Sequence, residues 1–306
     1  MPAENGRASR RLDLLVVGHT NVDRFLDVPE LPRADRTVPL LSSHEALGGT
    51  AATIALSAAR YGVRTGLVSL VGDDFPSPFR TRLRSAHIDI SGVTAVRGAR
   101  TPACWILENG RGAQMTVIDQ GAMQDASSAP VPSRLVADSG WVHLATGDPA
   151  HQLRVLKEAR RRGRPVAADP AQEVHYRWGS NDLRTLVAGS EILFGNLSEI
   201  RAIARKLDLR RPEELLDSVP LIVITLGPGG ARALTRAGPC TVPAGSRVTA
   251  AHVTGAGDAF RGGFYAGWFS GQELGACLTA GTRAARRWLR DGATRAKARS
   301  PRGSAT

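Results

Sequence analysis

An acid, Asp258, closes the small-residue turn Thr254-Gly255-Ala256-Gly257, and the residues after it, Ala259 to Trp268, repeat apolar side chains on a helical period. The turn delivers the chain into a helix N-terminus, where the first backbone N–H groups have no intrahelical partner and the macrodipole is positive. Glycines bring those amides close to a bound anion. A carboxylate beside such a site is placed to take the proton of a hydroxyl while the amides hold a transferring phosphoryl group. An ordinary N-cap acid fits the same residues, so the turn by itself leaves a merely capped helix open.

Four further clusters set polar or glycine chemistry at the ends of apolar runs. Asn21 and Asp23 follow the run Leu12 to Gly18, at the strand end where open α/β sheets place ligands, although both residue types also make simple turns. Gly48 and Gly49 open an Ala-rich helix running to about Tyr61, with Thr53 on its first turn; close approach of a ligand to the backbone and tight helix packing explain them equally. Asn196 and Glu199, three apart after the strand Ile192 to Phe194, share a helical face and can hold waters of a magnesium ion, and they also spell a capping box. Thr225, Gly227 and Gly230 follow the run LIVITL, where glycines let an adenine nucleotide lie against backbone and equally make a hairpin turn.

The elements that position these residues alternate. Strands at Leu12 to Gly18, Arg64 to Val71, Trp141 to Leu144, Pro165 to Asp169, Ile192 to Phe194 and Leu221 to Leu226 are separated by helices at Ser77 to Ala86, His151 to Arg162 and Asn181 to Val187, with a return strand at Ala231 to Leu234. This predicts a doubly wound, mostly parallel α/β sheet with the site at the C-terminal ends of its strands. Two stretches break the pattern. Residues 25–47, with prolines at 29, 32 and 39, and residues 102–118, with the turn Gly110-Arg111-Gly112, alternate like strands. The last helix is expected over roughly 273–290, with 293–306 a disordered basic tail, so the domain spans 12–292.

In order along the chain these stretches resemble the signatures of the ribokinase family of carbohydrate kinases, also called the phosphofructokinase-B family. The resemblance implies a ribokinase-like fold with the two strand-like stretches as a small β lid, and transfer of the γ-phosphoryl of ATP to a sugar hydroxyl with Mg2+. It makes Asp258 the base and the amides of Gly255, Ala256 and Gly257 the anion hole. Asn21, Asp23, Gly48, Gly49 and Thr53 then bind the acceptor, with Thr53 standing where the family carries Asn. Asn196, Thr225, Gly227 and Gly230 border the nucleotide, and Asn196 and Glu199 serve the metal through water or phosphate. Many members carry an Asp where this chain has His252, so activity is expected to depend little on potassium. In the lid, Arg36 replaces an acid of the family pattern and Arg33 lies nearby; together they suit an acceptor phosphate, with fructose 6-phosphate first, unless they are solvated surface residues. The alternative is a nucleoside acceptor (cytidine, inosine or adenosine) stacked on Trp105 or Phe25. A non-catalytic sugar-binding protein is a third class, which the retained Asp258 argues against.

Composition narrows the remaining classes. The formal charge of +12 invites a nucleic-acid reading, but only Lys157, Lys206 and Lys297 among the 40 basic residues are lysines, and the arginines are scattered without aromatic interleaving, so nucleic-acid binding is not expected. There is no GxxxxGK[ST] and no GxGxxG after the first strand, which excludes a P-loop kinase and removes support for hydride transfer. Cys104, Cys240 and Cys277 have no metal spacing and fit a reducing compartment. With no apolar leader in 1–11 and no membrane-length run, a cytoplasmic protein is expected, with a homodimer through the lid as its one macromolecular contact.

Overall fold

The computed structural model of the chain describes residues 11–109, 113–246, 248 and 254–299. Nine strands form the main sheet: β1 (Leu12–Val17), β4 (Thr65–Gly72), β5 (Asp89–Val96), β8 (Ser139–Leu144), β9 (Val166–Ala168), β10 (Ile192–Asn196), β11 (Leu221–Thr225), β12 (Ala231–Thr235) and β13 (Gly238–Val242). Their order is β13-β12-β11-β10-β9-β8-β1-β4-β5, parallel from β11 through β5 and antiparallel at β12 and β13. β2 (Asn21–Asp27), β3 (Ser42–Gly48), β6 (Ala103–Glu108) and β7 (Gln114–Asp119) make a separate sheet in the order β3-β2-β6-β7.

β1 is buried along its whole length because both faces of the main sheet are covered. Leu12, Leu15 and Val17 pack with α3 (Ser133–Asp138), α4 (Pro149–Arg161), α5 (Ser180–Ala188) and α6 (Leu197–Lys206). Leu14 and Val16 pack with α1 (Thr50–Arg60), α2 (Ser77–Ser85), α7 (Ala256–Phe269) and α8 (Leu274–Arg299). α7 is wedged between α1 and α8 by paired glycines. A Cβ on Gly262 would meet Ser57 and the Ala58 nitrogen, and one on Gly263 would lie 2.5 Å from Ala284 and 2.7 Å from the Ala280 carbonyl. The strand order reverses at β1, between β4 and β8, so the chain leaving β1 enters a crevice at the topological switch point.

Several expectations change. The edge strands β5 and β13 are additional elements, and the small sheet begins at Asn21 instead of residue 25. The last helix continues to Arg299, so 293–299 is helical backbone where a disordered tail was expected; residues 300–306, the turn 110–112 and His252 lie outside the described residues. No helix among the described residues is long and apolar enough to cross a membrane.

Candidate active site

The turn before α7 has the shape that its residues require. Gly255 is left-handed (φ 80°), and a side chain there would lie 3.0 Å from Trp288, whose indole N–H donates to the Thr254 carbonyl at 2.8 Å. Gly255, Ala256, Gly257 and Asp258 are half-buried at the mouth of the helix. Burial pushes the Asp258 carboxyl up to about 7; the Arg261 guanidinium pulls it down, while Asp169, Glu199 and Asp23 push it further up.

Asp23 stands across the crevice on β2 and is buried as well. Burial pushes its carboxyl up to about 7 against a hydrogen bond with Cys104. Its neighbour Asn21 donates to Cys104 Sγ at 3.3 Å. Asn21 Oδ1, Asp23 Oδ1 and Thr20 Oγ1 are buried without a protein partner, an arrangement that waits for donors and acceptors from a ligand. A Cβ on Gly48 would overlap the Asp23 carboxylate, and one on Gly49 (φ 89°) would meet the His19 carbonyl, so the two glycines let α1 start directly beneath these acids. Thr53 is buried one turn into α1. Paired residues of neighbouring strands share a face: Asp23 pairs with Cys104 and Phe25 with Ile106, which puts Phe25 on the Asp23 face, stacked on His44 at 4.8 Å. Trp105 pairs with Arg24 on the opposite face and is covered by its guanidinium at 5.3 Å, which removes Trp105 as a stacking platform beside Asp23.

Asn196 caps α6 in a complete capping box. Its side chain accepts from the Glu199 N–H at 3.0 Å, and Glu199 Oε2 accepts from the Asn196 N–H at 2.7 Å. One oxygen of each side chain is thereby used. No group of three His, Cys, Asp or Glu residues that would cage a metal occurs among the described residues. The donor set fits a magnesium ion that keeps its waters and phosphates and does not fit an all-protein cage.

Thr225 ends β11, and Gly227 stands exposed, with no atom within 4 Å of the place a Cβ would take. Gly230 is different. It is buried, and a Cβ there would run into the Val242 carbonyl and lie 2.7 Å from the Ala244 nitrogen, so its role is to close the β11–β12 turn, where Leu226 N–H donates to its carbonyl at 2.8 Å. Arg33 and Arg36 are exposed in the loop between β2 and β3 and make no ion pair with the acids of the crevice.

Sequence reasoning passed over the residues beneath the site. Arg261, one turn after Asp258, forks onto Asp169 at the end of β9, with Nη2 to Oδ1 at 2.7 Å and Nε to Oδ2. Burial would raise Asp169, but Arg261 and His143 hold it down to about 2. His143, whose charged form burial disfavours, lies 3.5 Å from Asp169 and hydrogen-bonds the Tyr265 hydroxyl at 2.7 Å. Beside Asn21, His19 meets Thr146 Oγ1 at 3.0 Å and Gln120 Oε1 at 2.5 Å. Gln120 Oε1 also accepts from Arg177, so His19 presents Nε2–H to it. The isolated charge of Arg261 inside an apolar helix was the one signal available for any of these residues.

Asp258, close enough to Asp23 to feel its charge, stands at an amide-rich helix start, the pairing that hydroxyl deprotonation beside an anion requires, and the open glycine turn follows the parallel strand β11. The pfkB family carbohydrate kinase profile matches residues 11–299. A nucleoside kinase of Methanothermobacter thermautotrophicus is 34% identical over 268 residues, covering 87% of this chain and 85% of that protein. An ATP-dependent ribose-1-phosphate kinase of Halopiger xanaduensis is 30% identical over 283 residues, covering 89% and 93%. Among solved structures, the Methanocaldococcus jannaschii nucleoside kinase, an archaeal member of the ribokinase family, superposes with a TM-score of 0.84 at 26% identity, covering 92% of this chain and 93% of its own. These names favour the nucleoside alternative over fructose 6-phosphate.

Proposed function

The chain belongs to the pfkB family of carbohydrate kinases, which makes it an ATP-dependent phosphotransferase, and from that premise we propose that it phosphorylates a nucleoside on a ribose hydroxyl. Asp258 takes the hydroxyl proton as the oxygen bonds to the γ-phosphorus and the bond to the bridging oxygen of ADP breaks. The N–H groups of Gly255, Ala256 and Gly257 hold the phosphoryl oxygens at the positive end of α7. Asp23 and Asn21, with their unpartnered oxygens, fix the ribose hydroxyls, and the backbone at Gly48 and Gly49 and the Thr53 hydroxyl complete that side. Thr225 and Gly227 border the nucleotide. Asn196 and Glu199 would hold a magnesium ion through its waters, and that ion would supply positive charge to the phosphates.

The observation that carries a neutral acceptor is the face that Asp23 shares with Phe25. It offers acids, a carboxamide and an aromatic ring, whereas Arg33 and Arg36, which a sugar phosphate would need, stand exposed outside it. Carboxylates suit hydroxyl donors and repel a second phosphate. ATP consumption measured with cytidine, inosine, adenosine, ribose 1-phosphate and fructose 6-phosphate tests the reading. A nucleoside is expected to give the highest kcat/KM, and a phosphorylated sugar outperforming all three nucleosides refutes it. The outer strand β7 leaves Met115 and Val117 exposed on the face away from Asp23, a surface that suits a second copy of the chain. Sedimentation of the wild type beside Val117→Glu checks that dimer.

A further inference from the structure

Arg261 anchors the start of α7 to the main sheet. Its side chain is 5% exposed, and it is the only charged residue of α7 besides Asp258. From α7 it reaches back under the helix start, where a Cβ on Gly257 would come within 3.0 Å of its Nη1, so the absence of a side chain at 257 makes room for the guanidinium. In the other direction it forks onto Asp169 at the end of β9 and lies 5.7 Å over the ring of Phe194 on β10. α7 is thereby fastened, just past its first turn, to Asp169 after β9 and to Phe194 within β10. The charged and titratable groups around the guanidinium are Asp169 after β9, Glu199 on α6, Asp258 on α7 and His143 on β8, with Asp23 of β2 acting on Asp258 from across the crevice. His143 and Tyr265 close the network from behind.

We propose that Arg261 is a positioning residue for phosphoryl transfer: its fork onto Asp169 holds the Gly255–Asp258 turn where the amides face the phosphoryl group and the carboxylate faces the acceptor hydroxyl. Gly257 and Arg261 stand one turn apart on α7, so the guanidinium that holds Asp169 also passes beside the backbone of Gly257. A fork of five donors on a planar group reaches both places, and an ammonium does not. The inference rests on Asp258 being the base.

Substituting Arg261 alone strands the buried Asp169 charge, so stability and catalysis fall together. The double variant Arg261→Gln with Asp169→Asn removes both charges and separates the two effects. Its melting temperature is expected to return to within a few degrees of the wild type. Its kcat, with ATP and the acceptor that the wild type uses best, is expected to stay roughly tenfold to a hundredfold low, with both KM values changed by less than about threefold. Recovery of kcat together with stability would show Arg261 to be a neutralising partner only and overturns the proposal. Arg261→Lys, which keeps the charge and folds more readily, is expected to lose kcat in the same way; a loss confined to KM contradicts it. Crystal structures of the wild type and the double variant give a readout independent of any acceptor, in which a displaced Gly255–Asp258 turn supports the proposal and a superimposable one overturns it. Asp258→Asn, run alongside, separates the layers: full activity there removes the base assignment itself, whereas full activity in the double variant removes only the role of Arg261.

Discussion

Asp258→Asn is expected to make the protein more stable and nearly inactive. In the folded chain the Asp258 carboxyl holds its proton up to about 7, against an ordinary value of 3.8. The folded state therefore binds this proton more tightly than the unfolded state, so the stability is greatest below about pH 4 and is lost as the pH rises to about 7. At about 1.4 kcal/mol per pH unit, the ionised carboxylate costs up to about 4 kcal/mol above that range. Asn does not carry the charge. With an unfolding entropy of roughly 0.6 kcal/mol per kelvin for a chain of 306 residues, the substitution is worth up to about 6 °C in melting temperature at pH 8 and almost nothing at pH 4. Turnover of the same variant should fall by about two to four decades, the usual worth of a general base. Wild-type kcat should itself decline about tenfold per pH unit below about 7, because only the ionised carboxyl accepts the proton. The assays are calorimetry across pH 4–8.5 and ATP consumption with a nucleoside. A melting temperature unchanged at every pH would refute the desolvation argument, and near-normal turnover by the folded variant would remove Asp258 from the chemistry.

Three further outcomes are expected. Gly48→Ala places a methyl group where the Asp23 carboxylate lies, so acceptor KM should rise at least tenfold, on the order of one lost charged hydrogen bond, with KM for ATP little changed; equal effects on both substrates would contradict the placement of Asp23. Phe25→Ala should raise nucleoside KM by roughly twofold to tenfold, the scale of one aromatic contact, while Trp105→Ala on the opposite face of the small sheet leaves it alone, and steady-state kinetics with the two variants in the reverse order would place the base elsewhere. Glu199→Gln keeps an oxygen for the cap but removes the charge, so the magnesium concentration for half-maximal rate should increase with little loss of melting temperature; an unchanged magnesium titration would leave Glu199 as a cap alone.

What the sequence made legible was local chemistry. The Gly255 helix entry, the Gly48-Gly49 helix entry and the Asn196–Glu199 cap are each written in contiguous residues whose backbone needs are characteristic, although α7 starts at Ala256, three residues before the helical period suggested. The parallel core was legible for the same reason, since strands buried on both faces read as unbroken apolar runs. β5 and β13 were not, because edge strands are half-exposed and mix Asp, Ser, Gly, Pro and Thr into their short lengths. Partnerships across the fold were equally hidden: Asp169 and Arg261 are 92 positions apart, and in an Arg-rich chain one more arginine carries no mark of its partner. Arg36 shows another limit of sequence. Its charge invited a phosphate, but sequence gives the sign of a loop charge and not the direction in which the loop presents it.

The small sheet is assembled from two hairpins far apart in the chain, and the seam between them is the parallel β2–β6 pair, in register from Val22 with Ala103 to Asp27 with Glu108. Exchanging the acceptor preference of this enzyme with that of a relative is therefore not a matter of transplanting one loop. A borrowed first hairpin would bring Asp23 and Phe25 but meet a foreign β6, and a slip of one residue at the seam turns every side chain on it to the wrong side. A borrowed second hairpin would also have to rebuild the contact of Gln114 in β7 with the Thr254 hydroxyl beside Gly255. Recombination must carry both segments at once, whereas single substitutions on the Asp23 face leave the seam intact. Laboratory evolution of new acceptors in this scaffold should accumulate point changes along β2, β3 and β6 and should rarely fix hairpin swaps.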